Sequence, residues 1–178
     1  LREACQTDLD GTSIDALEDA AVRLGLDAEQ VMLPLDHLFL PEAGGIPAIV
    51  VVRHPNGTTH FVVVWRRHGP WLQVMDPAVG RRWVLCDRFR EEVFVHSHPV
   101  PVSAWREWAS SEAFLAVLKR RMRDLGVPAA DGEARIAPAL AEEGWRPIAL
   151  LDAAVRMTEA GARSGGLARG EDATRLLA

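Results

Sequence analysis

The chain has 178 residues, 48% of them hydrophobic, and a formal net charge of -5, which suits one domain with a core and some added helix. Its basic residues, nearly all Arg, are interleaved with acids rather than gathered in a stripe, which excludes nucleic acid as a partner. No run of about 18 apolar residues occurs, so no segment reads as a membrane span, and Cys5 and Cys86 form neither a CxxC pair nor a metal spacing and read as free thiols in a reducing compartment.

Residues 12–24, TSIDALEDAAVRL, read as a helix. Thr12 is placed to cap it, with Asp15 three residues on as a short-armed capping box. Ile14, Leu17, Ala21 and Leu24 recur at helical spacing, and Gly25 suits a left-handed stop. LDHLFL, at 35–40, reads as one helical turn, with His37 exposed.

From Pro47 the period changes. PAIVVVR, THFVVVWRR, WLQVMD and RWVL are short, rich in Val, Ile and Trp, and divided by turn signals at PNG (55–57) and RHGP (67–70). They read as an antiparallel meander packed against helix, an α+β arrangement. VVV beside Trp65 leaves no polar face, so that strand is expected to be covered on both sides. His54 is expected to be loop-exposed, and Cys86, in the strand-like RWVLC, to be a buried core thiol.

After residue 103 the composition shifts to Ala, Arg, Glu and Leu. Ser110 or Ser111 caps a helix through Phe114, Leu118, Met122 and Leu125, stopped by Gly126 and Pro128. A loop around Asp131 and Gly132 is expected next, then a helix through 150–157, broken by SGG at 164–166. Trp105 and Trp108 are expected to anchor a helix start, and KRRMR (119–123) to form a solvated helix face. The Ala-rich faces and scattered glycines suggest loose packing across 104–178.

Two residues stand out as a pair. His60 opens one strand, and Asp76 closes the next, followed by Pro77, which stops strand pairing. If the hairpin is centred on His68, the two face each other with Cβ atoms roughly 5 Å apart. That spacing suits either a structural hydrogen bond or a catalytic base held by a carboxylate. The pairing depends on register, since a slip by one residue turns one side chain to the other face. His96 and His98 alternate in VHSHP as half of a metal site would, but no third ligand is recognisable and they read as rim histidines. Gly44-Gly45 lacks the GK[ST] that a phosphate loop needs.

The ordered set DLDGTSIDALEDAAVRLGLDAE, IPAIVVV, HFVVV and VMDPAVGRRW resembles the peptidase domain of bacteriocin-processing ABC exporters, over roughly residues 1–102. The resemblance implies a papain-like cysteine peptidase fold in residues 1–103, with 104–178 as a helical extension or linker. It implies cleavage of leader peptides after a double-glycine type motif, on the cytoplasmic side of the bacterial inner membrane. On the match His60 corresponds to the general base and Asp76 to its orienting partner, and no cofactor is implied. The leader peptide is the implied partner, with transmembrane and ATPase domains of the exporter expected downstream.

The family's nucleophilic Cys and its oxyanion Gln are expected before Leu1, so the chain reads as a piece lacking the cysteine helix and inactive alone. Cys5 is a poor substitute, because QTDLDG after it opens no helix that would lower the thiol pKa, and Gln6 lies on the wrong side of it. A non-catalytic peptidase-like domain that grips the substrate without cutting it is the alternative.

Overall fold

A computed structural model describes residues 12–178. The chain divides into two compact units, residues 1–34 and 35–178. Cys5 and Gln6 lie outside the described residues.

The first unit holds helix α1 (Ile14–Arg23). Its cap is Ser13 rather than Thr12: the Ser13 hydroxyl accepts from the Ala16 backbone N–H at 3.1 Å. Gly25, at φ +82°, makes the expected left-handed stop. Gln30 then folds the following segment back, its side chain donating to Asp15 at 2.8 Å and its backbone N–H to Glu18 at 3.3 Å.

The second unit is built on a four-stranded antiparallel sheet, β1 (Ala48–Arg53), β2 (Thr59–His68), β3 (Trp71–Asp76) and β4 (Gly80–Leu85), in sequential order. This is the expected meander, and the fold is α+β. Among the described residues the sheet is covered on one face. Val52, Val62, Val64, Leu72 and Val74 are buried there. Helix α2 (Cys86–Glu92) packs against β3 and β4, with Phe89 buried and edge-on to Phe39 at 6.3 Å. On the opposite face Ile49, Trp71, Met75, Trp83 and Leu85 are exposed and Phe61 and Val63 only half-buried. The expected double cover of β2 is therefore absent: its even-numbered side chains to Val64 form core and its odd-numbered ones do not.

Five helices follow: α3 (Val102–Ala109), α4 (Glu112–Asp124), α5 (Ala129–Ala141), α6 (Arg146–Arg163) and α7 (Glu171–Leu176). They are not loosely packed. Phe114, Leu118, Met122, Leu125, Ile136, Ile148 and Val155 form a core of their own, with Trp105 and Trp108 packed against it. Asp131 and Gly132, expected in a loop, lie inside α5. Gly132 is buried there because helix α4 comes close: a Cβ on it would stand 3.3 Å from the Met122 sulfur.

Two short 3₁₀ turns, His37–Phe39 and Pro41–Ala43, join the sheet to these helices. The Phe39 carbonyl accepts from Arg67 of β2. Asp36 pairs with Arg121 of α4 and Arg156 of α6, and Glu42 with Arg120 at 3.0 Å. Arg121, expected on a solvated face, is 2% exposed and belongs to this clasp. His37 is buried too, its ring against Trp108 and Phe114 and its Nε2 3.4 Å from the Arg156 guanidinium. Among the described residues no helix is long and apolar enough to cross a membrane.

Candidate active site

The β2–β3 hairpin turns on Gly69-Pro70, with His68 opposite Trp71. Gly at the first turn position supplies φ +57° and Pro the second, the residue order of a two-residue hairpin of the II′ kind. The hairpin is thus not centred on His68, as the symmetry of the two strands suggests. The ladder runs Arg67↔Leu72 and Arg66↔Gln73, then Val64↔Val74 and Val63↔Met75, with a bulge between Val64 and Arg66. His60 pairs with Val52 on β1 and stands diagonally across from Asp76, on the same covered face.

The two side chains meet, with His60 Nε2 3.3 Å from Asp76 Oδ2. Asp76 is almost fully buried, its side chain 3% exposed, while that of His60 is 22% exposed. Burial alone would push the Asp76 carboxyl up, but the Ala78 N–H and the His60 ring hold it below its ordinary range, so it stays ionised. Its Oδ1 accepts from the Ala78 backbone N–H at 2.9 Å, in the turn through Pro77 that Gly80 closes at φ +87°. Oδ2 is left for His60.

An ionised carboxylate only accepts, so Nε2 carries the ring proton and Nδ1 carries the lone pair. Nδ1 is buried and has no hydrogen-bond partner among the described residues. The pair is therefore an imidazole with Nδ1 uncommitted and its other nitrogen on a carboxylate. This arrangement takes a proton from a group brought to Nδ1 and stabilises the imidazolium that results.

His54, expected to be loop-exposed, lies outside the strands but is half-buried. Its ring stacks on that of His60, centroids 4.1 Å apart and planes 12° from parallel. The signal available was its place just before the PNG turn that leads into the strand carrying His60.

Cys86 is the described cysteine, and it opens α2 rather than continuing a strand. Burial pushes its thiol up, the opposite of activation. His96 packs edge-on against Phe94 at 4.6 Å, and His98 is exposed. Among the described residues no group of three His, Cys, Asp or Glu converges to hold a metal ion.

A family model described as the Peptidase C39 family matches residues 1–93, more than half of the chain. No curated protein matches it.

Proposed function

Because the chain belongs to the Peptidase C39 family, a family of cysteine peptidases, we propose that it cleaves leader peptides after a double-glycine type end, with His60 as base and Asp76 as the group that holds the ring. The observation that carries this reading is the buried, unpartnered Nδ1 of a histidine whose Nε2 is tied to an ionised carboxylate.

The chemistry follows from that tautomer. Nδ1 takes the proton of a cysteine thiol, and the thiolate sulfur attacks the carbonyl carbon of the scissile bond. As the C–N bond breaks, the imidazolium returns its proton to the leaving amine. Water, deprotonated by Nδ1, then attacks the thioester and frees the leader and the thiol. Asp76 accepts the Nε2–H bond throughout, so the charge on the ring is always paired.

The thiol comes from outside the described residues. Residues 1–103 are the peptidase part, and 104–178 an extension toward the transmembrane and ATPase domains of an exporter, on the cytoplasmic side of a bacterial membrane. A second reading, a domain that grips the leader without cutting it, is favoured by the inert setting of Cys86.

Mass spectrometry on a synthetic peptide in which a leader ending in Gly-Gly is followed by several further residues separates the two. A new amino terminus after the second glycine, absent with His60→Gln, supports the peptidase. Loss of that cleavage in Cys5→Ala assigns the thiol to Cys5. Binding of the leader with no cleavage, on a chain carrying its natural upstream segment, leaves the gripping domain.

A further inference from the structure

His54 lies at the end of β1's turn, and the stack it makes on His60 is the closest ring contact among the described residues. Its backbone is fixed on both sides. Its N–H donates to the Thr58 carbonyl at 2.8 Å, and its carbonyl accepts from the Gly57 N–H at 2.9 Å. The Asn56 side chain accepts from both the Thr58 backbone N–H at 3.1 Å and the Thr58 hydroxyl at 2.7 Å, locking the turn. Pro55 further confines His54 to extended backbone.

A single hydrogen bond from Nε2 to Asp76 directs one edge of the His60 ring but leaves the ring free to rock about that bond. A parallel ring against its face removes that freedom. The two constraints together fix the plane of the imidazole and hence the direction in which the Nδ1 lone pair points. Neither constraint uses Nδ1.

We propose that His54 is a positioning residue for His60: its stacked ring sets the plane of the base and so the direction of its Nδ1. The proposal rests on reading His60 as the base. His54 touches no reacting atom, and what it supplies is a flat surface. An aromatic ring of another kind replaces it, and a small side chain does not.

The test is nitrogen-15 NMR of the His60 ring in the full chain near neutral pH, with His54→Ala and His54→Phe, each checked for cooperative thermal unfolding. The chain and His54→Phe are expected to show in relaxation a His60 ring as ordered as the backbone, and His54→Ala a ring of clearly lower order, with Asp76 keeping the proton on Nε2 in all three. In a peptide-cleaving form, His54→Ala lowers kcat by roughly ten- to a hundredfold with KM little changed, and Phe restores it. Unchanged ring order in His54→Ala, or a loss in His54→Phe equal to that in His54→Ala, overturns the proposal. The NMR readout does not depend on cleavage. A form that supplies the thiol and still cuts nothing, yet shows the Ala–Phe difference, refutes the peptidase reading and leaves the positioning role standing.

Discussion

His60 and Asp76 share a face of the sheet because one extra residue, Trp65, lies between them and the turn. Extending the turn-side register of Arg66↔Gln73 without interruption would set Val63 opposite Asp76. His60, three positions away from Val63, would then point to the other face. The bulge shifts the count by one and restores the pair.

Deleting Trp65 is therefore expected to keep the pair, because Val64↔Val74 then follows Arg66↔Gln73 directly. The side chain is 55% exposed, so Trp65→Ser changes stability by about 1 kcal/mol or less. Deletion leaves Val62 and Val64 in the core and should cost about 1–2 kcal/mol, for the altered twist of the strand. Urea unfolding of the two variants gives the comparison; a loss of about 3 kcal/mol or more on deletion would mean that the bulge does more than absorb one residue.

Asp76→Asn keeps the shape of the side chain and changes its chemistry. An amide nitrogen facing Nε2 favours the other tautomer and puts the proton on Nδ1, where the base must be free. In a peptide-cleaving form of the protein kcat is expected to fall by about a hundredfold or more, with the fold intact by circular dichroism. The stability effect has a definite sign. The folded state holds Asp76 below its ordinary value of 3.8, so the carboxylate stabilises the fold above about pH 4. That contribution is lost as pH falls from there through the lower folded value. Asp76→Asn should flatten this part of the acid-unfolding curve.

His37 predicts a second pH effect in a higher window. Burial, then the neighbouring Arg156, lower its pKa from 6.5 to about 4. The unfolded chain therefore binds a proton between pH 6.5 and 4 that the folded chain refuses, and stability falls as pH drops across that interval. The loss is at most roughly 3 kcal/mol by pH 4. His37→Gln keeps an acceptor toward Arg156 without titrating, and its stability should be nearly level over the window. A slope equal to that of the parent chain would remove His37 as the cause.

Gly126 and Gly25 share nearly the same backbone, φ +81° and +82°, yet differ in surroundings. A Cβ on Gly25 meets nothing within 4 Å, while one on Gly126 meets the Gly170 nitrogen at 2.9 Å, beside the bond from Gly170 N–H to the Leu125 carbonyl. Gly25→Ala is expected to cost about 1 kcal/mol for the left-handed backbone alone. Gly126→Ala should cost that and about 1–3 kcal/mol more, because α4 must part from the start of α7. Thermal unfolding of the two variants measures the difference directly.

Much of the fold was legible in the sequence because it depends on local signals. The period-2 runs, the PNG turn, the serine before α4 and the glycines at helix ends each act within a few residues. The His–Asp pair was legible as a pair, since parity of spacing and a shared sheet were enough to suggest it. Its route was not: two errors, the turn centre and the unforeseen bulge, offset each other in parity. What could not be read were the long-range partners. Nothing near His37 or Arg121 says that Asp36 and Arg156 will enclose them. Gly132 reads as a loop until helix α4 is known to press on it, and His54 reads as turn surface until the ring of His60 is placed beside it.

The sheet joins only strands that follow one another in the chain, so each hairpin closes a short loop at small entropic cost. The clasp between Asp36 and Arg156 instead spans 120 positions. A chain made from its amino end has the whole meander available, with His54, His60 and Asp76 in place, before α6 has been synthesised. The base half of the site is thus laid down early by contacts of low order, and the helices close around the 35–43 segment afterwards.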